Sequence, residues 1–507
     1  MCSSDLWWIA TLTIAGTQRH YARAALAIED SEAGRWRRVS PGLDGGEVQA
    51  SAPWLGQTPE ERSASVRVVD PGLDIPALLA QHHTLDGTPL EIALWTEGTV
   101  WAARDIRLSG IVTDYRWGAV GEALELDAAE SVFQDRGVLP GVDRAVSDTT
   151  WPTRSENAAG QYPIVIGAPG SDGTRATPAL FVESTAQGGA RDLLLVAGHP
   201  VSAASVLVFD GSTSESLLTE QVTDGAGTLV TVVDLATATT IAVDEALDYY
   251  CAWNNGAGLL SVTGTADATG AGAVVELVLA QSTLPIDRSS VAAVRDALNA
   301  YQVGAVITES VSPAEWVADG LLPFLPVALT TGPKGWRFLP INLDAGFADC
   351  VGTLTARRPN AVRQGLVTQE GRDEVANTLE LRYAIDLDAA DTAKLARVTG
   401  ADTHPCLPAV LSRQVYGEKI RSEETVFVYD DATAYRILLW WARAYAFPRS
   451  VVSYRTIGYD WLKPGMLVWL VDAELSIEQA AWVQAIQVNE AGYQMVELVL
   501  WRNPGAQ

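Results

Sequence analysis

Lysine is nearly absent from this chain. It occurs only at Lys334, Lys394, Lys419 and Lys463, so almost all positive charge is arginine. The codon usage of a GC-rich genome produces that bias, and no function is read from it. Positive charge of either kind is outnumbered, and the formal net charge is -27. A nucleic-acid-binding surface needs clustered cations to neutralise phosphates, and this balance argues against one. It suits a soluble particle component, or a surface that must not stick to DNA.

Cysteine is also sparse. Cys2, Cys251, Cys350 and Cys406 show no CxxC spacing. They read as reduced, isolated thiols, which argues against a disulfide framework or a zinc site. The opening "MCSSDLWWIATL" has no basic region ahead of its short apolar run, so no signal peptide is expected. No run of about 18 apolar residues occurs, so no transmembrane helix is expected either. These absences fit a chain made and kept in a cytoplasm until assembly or release.

What is present is a chain of 507 residues, 48% hydrophobic and 19% charged. That is a globular composition, at a length that calls for two to four domains. "DIPALLAQHHT" reads as a short helix, with Asp74 as N-cap and Pro76 in its first turn. Thr88–Gly98 is a turn and a strand. Asp105–Gly118 and Glu122–Glu130 form a hairpin. Residues 131–160, rich in Asp, Pro, Ser and Gly, read as a linker. Gln161–Gly173 opens a β-rich block with strands in Arg191–Gly211, Thr228–Val243 and Thr263–Ala280, a pattern expected of a sandwich or barrel.

Helices follow. Val291, Val294, Leu298 and Tyr301 form one apolar stripe. Ser312, Pro313 and Glu315 spell a capping box. The last block has strands at Ala376–Asp386 and Glu423–Asp430, with a loop through "TGADTHPCLPAV" between them. A helix from about Asp431 to Ala446 presents Ala434, Ile437, Leu438, Trp441 and Tyr445 on one face, and Pro448 ends it. After the Lys463-Pro464-Gly465 turn, Met466–Val471 is apolar at every position. That requires cover on both faces of the strand. The helix is expected to supply one cover and a partner subunit or closed barrel the other.

The two ends of the chain match in pattern. "DGTPLEIALWTEGTVWAARDIRLSGIVTDYRWGAVGEALELDAA" and "LKPGMLVWLVDAELSIEQAAWVQAIQVNEAGYQMVELVL" each run through a Pro/Gly turn, an apolar strand and an acidic loop. A second strand, a Gly turn and a last strand with a Glu-Leu pair complete each. With a helix upstream of both, they read as an internal duplication over about 74–130 and 431–502.

Little in the sequence points to catalysis. His82-His83 ends a short helix, where imidazolium favours the dipole, so capping outweighs metal binding. His20 and His199 stand alone. His404 and Cys406 in "HPC" are too close in sequence to act as a nucleophile pair. "GAPGSDG" at 167–173 lacks the Lys-Ser/Thr of a P-loop and reads as a loop. Asp430-Asp431 reads as an N-cap rather than an acid/base dyad. The 17 tryptophans are mostly accounted for by core packing. No catalytic, cofactor-binding or metal-binding residue is assigned, no cofactor is expected, and the chain reads as a non-enzyme.

"SRQVYGEKIRSEETVFVYDDATAYRILLWWARAYAFPRSVVSYRTIGYDWLKPGMLVWLVDAEL" resembles baseplate (tail-tip) hub proteins of long-tailed bacteriophages. The carriers are Tyr-Gly, then "DDATAYRILLWWARAY", "PRSVVSY" and the Leu-Lys-Pro-Gly turn before "VWLVD". "YPIVIGAPG…LLLVAGHPV" and "VSPAEWVADGLLPFLP" also fit. The resemblance covers roughly the whole chain, most clearly 280–505 and least 151–280. It implies a mainly β fold with α (α+β, multidomain), with two tail-tube-like β-barrel domains, a β-rich insertion and a small helical segment. The expected divisions are 1–150 and 346–507 for the two tube-like domains, 151–280 for the insertion and 281–345 for the helical connection.

The resemblance also implies a homotrimer whose six pseudo-equivalent domains dock on the sixfold distal tail ring. Its further implied partners are a tail-tip or central fibre protein and the tape-measure protein. Genomic DNA would pass through without specific binding, and the chain would reside in the virion. Trp440, at the margin of the helix stripe beside Thr433 and Arg436, is the candidate subunit contact. An acidic channel lining is expected, repelling DNA near the wall. The competing reading is a tail-associated cell-wall binding protein (adhesin) or hydrolase. A hydrolase should show a compact acid pair or a Cys/His/Asp constellation, and none is seen. An adhesin would place exposed aromatics on 151–280.

Overall fold

The computed structural model describes the chain apart from residues 1–5, 15, 53, 55–61, 70–74, 76–83, 118–122, 131–136, 138, 140–144, 148, 152–159, 185–190, 202, 212, 245, 254–269, 333, 371–372, 390–391, 400–405, 490–492 and 502–507. The fold is mainly β with some helix, as expected.

The N-terminal portion contributes β1 (Leu6–Ile14), β2 (Thr17–Ala22), β3 (Leu26–Asp30), β4 (Arg35–Pro41), β5 (Leu43–Ser51), β6 (Ser63–Val68), β7 (Pro89–Thr96), β8 (Asp105–Trp117) and β9 (Leu124–Glu130). The first six were not anticipated. Thr88–Gly98 and the following hairpin are β7, β8 and β9, paired as an antiparallel meander. Strand β1 is apolar on both sides for a physical reason. Trp8, Ala10, Leu12 and Ile14 face the curved-sheet core, while Ile9 packs with Ile28, Val39, Trp95 and Trp101 under the β3–β4 hairpin. Of the helix expected over 74–84, only Ile75, which is helical, and Thr84, which is not, are among the described residues.

A two-stranded ribbon of β10 (Ala145–Val146) and β11 (Gly160–Gln161) leads on to β12 (Ile164–Gly167). Then β13 (Thr177–Ser184), β14 (Arg191–Ala197), β15 (Ser205–Phe209), β16 (Ser214–Thr223), β17 (Leu229–Asp234) and β18 (Tyr249–Ala252) close into a six-stranded barrel. Of the two forms expected for this block, the barrel is found. One end is organised by a buried chain: Trp151 Nε1 donates to Tyr162 Oη at 2.9 Å, and Tyr162 Oη donates to Asp224 at 2.6 Å.

Thr263–Ala280 does not close the block as a strand. Its described part is the helix Ala271–Leu279, burying Ala271, Val274, Val275 and Val278. The helix Arg288–Leu298 follows, with Asp287 as N-cap and Val291, Val294 and Leu298 buried, as the stripe requires. Strand β19 (Gly304–Ile307) pairs with β12. Ser312 caps the short helical turn Pro313–Glu315, its side chain accepting from the Glu315 N–H at 3.2 Å. The hairpin of β20 (Val327–Gly332) and β21 (Gly335–Pro340) completes this segment.

The C-terminal portion holds β22 (Thr353–Thr355), β23 (Ala361–Glu370), β24 (Thr378–Tyr383), β25 (Lys394–Thr399), β26 (Ile420–Glu424), β27 (Arg449–Ile457), β28 (Leu467–Asp472), β29 (Ile477–Asn489) and β30 (Tyr493–Leu500). Two expectations shift here. The strand placed at Glu423–Asp430 is β26, three residues earlier at its start. The stretch taken as a loop, 399–410, runs at its end into the helix Leu407–Tyr416. The helix Asp431–Tyr445 forms as expected. Asp430 is its N-cap, accepting from the Thr433 N–H at 2.8 Å.

The two-faced burial at the end of the chain resolves differently from the expectation. Within β28 only Val468, Leu470 and Asp472 are buried, while Leu467, Trp469 and Val471 are half-buried. The helix Asp431–Tyr445 packs mainly on β24 and β25, and its apolar face shares a core with Val451, Trp482 and Val499. Full burial on both faces falls one strand later, at Ala480–Val483. There Ala481 and Val483 enter the curved-sheet core and Trp482 enters the other.

Candidate assembly interface

The two ends of the chain form one structural unit twice. In the N-terminal portion the strand order is β5-β6-β9-β8-β7-β1, and in the C-terminal portion it is β23-β27-β30-β29-β28-β22. The middle four strands of each set are connected alike, and the register agrees in detail. Along β8 and β9 the ladder shifts between Val112 and Asp114, and along β29 and β30 it shifts between Val483 and Ala485. The bulge is thus at the same place in both.

Each bulge is held by the same turn. The Gly465 N–H donates to the Val483 carbonyl at 2.8 Å, and the Val483 N–H donates to the Met466 carbonyl at 2.9 Å. In the other copy Gly87 donates to Val112 and Val112 donates to Thr88, both at 2.9 Å. Gly87 (φ 76°) and Gly465 (φ 82°) both take the left-handed conformation that glycine adopts without steric cost. Two features are outside the repeat. Strand β22 pairs parallel where β1 pairs antiparallel. The helix Asp431–Tyr445 precedes β27, whereas residues 74–84 lie after β6, the counterpart of β27.

The copies are fused edge to edge within a fifteen-stranded sheet. Strand β29 pairs with β28 only as far as Trp482. Beyond the bulge its freed edge is taken by β5, from Ala485 opposite Ser51 to Asn489 opposite Glu47. The Ala52 N–H extends this ladder, donating to the Gln484 carbonyl at 2.7 Å. Three tryptophans seal the seam. Trp482 Nε1 donates to the Ala52 carbonyl at 3.0 Å, Trp54 meets Trp482 edge-on at 5.5 Å, and Trp501 stacks on Trp54 at 4.9 Å. Such rings bury large apolar areas and fix geometry as well.

Beside the seam lies a cationic cleft, lined by Arg62, Arg107, Lys334, Arg337, Lys463 and Asp287 together with Val48 and Ile486. Lys463 reaches across to Asp105 at 3.0 Å, and Arg107 Nη2 donates to the Asp460 carbonyl at 2.7 Å, so each copy grips the other. Arg62 donates to the carbonyls of Arg107 and Thr331 and pairs with Glu130 at 3.7 Å. Its burial pulls its pKa below the ordinary arginine value, with the neighbouring cations adding to the effect. In a chain of net negative charge this concentration of cations is local, and its partners are the chain's own carbonyls and acids.

The other candidates fall away from the seam. Trp440 is half-buried against the core of its own helix, and its Nε1 is buried without a hydrogen-bond partner. His20 lies edge-on to Trp101 at 4.8 Å, and its Nδ1 contacts Thr11 Oγ1 at 2.9 Å. Burial, then Arg37 and Arg104, pull its pKa down to about 4. His199 accepts from the Val165 N–H through Nε2 at 3.1 Å, a role within the fold. Cys251 and Cys406 are buried, and burial raises both thiol pKa values, which makes them poor nucleophiles. Residues 167–173 form a turn in which Gly167 and Gly170 have positive φ. Asp431 accepts from Tyr383 Oη at 2.8 Å. Cys2, His82, His83 and His404 lie outside the described residues.

Among the described residues no group of His, Cys, Asp and Glu is placed to hold a metal, and no helix is long and apolar enough to cross a membrane. The seam itself was not legible beforehand. The nearest signal was the apolar run of "AAWV" in β29, which demands two covers.

No family model matches the chain, and no curated protein matches it. Solved structures do. The tail protein from Neisseria meningitidis MC58 is 9% identical with a TM-score of 0.40, over 98% of this chain and 97% of that one. The 43 kDa tail protein of prophage MuSo2 from Shewanella oneidensis is 10% identical with a TM-score of 0.41, over 97% and 98%. Prophage tail protein gp18 from Listeria monocytogenes EGD-e is 9% identical with a TM-score of 0.33, over 98% and 94%. These three solved structures are tail proteins, two of them from prophages.

Proposed function

We propose that this chain is a non-enzymatic structural hub of a phage tail tip or baseplate. The observation that carries the reading is the fused pair of matching units. A chain with two units in edge-to-edge contact matches a sixfold ring when three copies assemble. In this reading 1–150 and 346–507 are the tube-like domains, 281–345 joins them, and the 151–280 barrel projects as an insertion. The trimer docks on the distal tail ring and joins it to the central tip or fibre and the tape-measure protein.

The same assembly leaves a channel on the threefold axis for genome ejection. The excess of 62 acidic over 35 basic side chains is enough to line such a channel with negative charge. A lining of that sign repels the duplex within a screening length of about 8 Å and binds it nowhere. Trp440, half-buried at the surface of its helix, serves as a subunit contact. At the cationic cleft, Lys463 and Arg62 pair with the chain's own Asp105 and Glu130, and in this reading the cleft does not serve as a DNA contact.

Incubating the purified chain with host peptidoglycan tests the non-enzymatic reading. No release of soluble fragments is expected, and turnover would overturn it. Light scattering of the chain, alone and with the distal tail ring protein, tests the assembly.

A further inference from the structure

The seam inside the chain shows how one unit receives the edge of another, and the duplication then specifies a second seam. At the first seam, β29 beyond its bulge accepts β5. The counterpart of that acceptor is β8 beyond its own bulge, and the counterpart of β5 is β23. Among the described residues, neither edge is used. From Thr113 onward β8 pairs on one side only, with β9, because its ladder with β7 ends at Ile111 opposite Pro89. Strand β23 pairs with β27 alone and ends the sheet.

We infer that β8 of one copy of this chain pairs antiparallel with β23 of a second copy, in the register of the internal seam. Matching the ladders residue by residue places Tyr115 opposite Gln369 and Arg116 opposite Thr368. These are the counterparts of Ile486 opposite Ala50 and Gln487 opposite Gln49. An unpaired strand edge is a ready template for such addition. The exposure pattern agrees. Ile486 is buried with β5 in place, whereas Tyr115 at the open edge is only half-buried against the same core. Thr368 and Gln369 are exposed and uncharged, while the flanking positions Asp114 and Arg116 on β8 and Glu370 on β23 carry charge. The contact joins unlike surfaces, so copies add head to tail, and closure gives a ring. The partner is therefore a second copy of the chain. This deepens the proposed hub by naming the surfaces of its ring.

Cysteine cross-linking tests the register, since directly opposed strand residues lie within disulfide reach. In a chain carrying Cys2→Ser and Cys350→Ser, Arg116→Cys is combined with Thr368→Cys. Mild oxidation is followed by a non-reducing gel, with light scattering on the same sample. Covalent multi-chain species are expected at least about tenfold above either single variant. They should also exceed the shifted pair Arg116→Cys with Gln369→Cys, whose side chains point to opposite faces. Equal cross-linking of the two pairs, or none in a sample that scatters as an oligomer, overturns this pairing and leaves the hub standing. A chain that stays monomeric both alone and with the distal ring protein overturns the hub and this pairing together.

Discussion

Gly465 donates its N–H to the carbonyl of Val483, and Gly87 makes the same bond to Val112 in the other half of the chain. Both glycines have positive φ, and both bonds sit at the bulge where the long strand of each unit parts from its shorter neighbour, β28 or β7. The repeated contact fixes where each unit opens its edge.

Substitution of these glycines should separate the strain of the backbone from that of packing. A Cβ on Gly87 meets open space, so Gly87→Ala should cost about 1–2 kcal/mol for the left-handed conformation alone. A Cβ on Gly465 collides with the buried Leu339 side chain, so Gly465→Ala should cost more. Urea unfolding of the two variants measures this. Equal losses would mean that the turn at Gly465 has room.

Trp482 should be the most sensitive position of the seam. It is 1% exposed, fills the core beside Trp54 and bonds the Ala52 carbonyl. Trp482→Ala should cost about 3–5 kcal/mol from the cavity. Trp482→Phe should still cost about 1–3 kcal/mol by leaving that carbonyl unpaired. A Phe variant as stable as the parent would show that the hydrogen bond contributes nothing net.

How much of this was legible follows from where the signals are local. Strands β7–β9 and β28–β30 could be read because Pro/Gly turns bound short apolar runs, and their matched order exposed the duplication. Strand β1 could not, since "LWWIATLTI" has no alternation: the β3–β4 hairpin covers its second face. Ala271–Leu279 reads as a strand because Val274, Val275 and Val278 make a short β-branched run, and period alone cannot separate that from a buried helix. The seam was illegible for a stronger reason. The pairing of β5 with β29 joins segments from opposite ends of the chain, and no local pattern encodes which edges meet. The chemistry was clearer: the Asp430 cap and the Ser312 cap both form.

Tyr162 should hold the insertion barrel's end together. Tyr162→Phe leaves the Trp151 N–H and a buried Asp224 oxygen each without this partner. A loss of about 1–3 kcal/mol is expected. Near-ultraviolet circular dichroism of the tryptophans should report the melting of this region. An unchanged transition would assign Asp224 to turn formation alone, through its bonds to Ala226 and Thr228.

His20 should add an acid-sensitive component to stability. Its folded pKa is lowered to about 4, against the ordinary histidine value of 6.5. The unfolded chain therefore takes up the proton first, and the stability linked to neutral His20 is present above pH 6.5 and is lost as pH falls toward 4. His20→Gln should flatten the stability profile in that window relative to the parent. Parallel profiles, measured by urea unfolding at each pH, would show that His20 is not held neutral beside Arg37 and Arg104.

The central claim is that a chain of two fused, matching units assembles as a hub. Its most direct test is the mass of the assembled particle. Light scattering on the purified chain, with and without the distal tail ring protein, should give three times the 54.1 kDa chain mass for the hub component. A monomeric mass in both conditions would contradict the account.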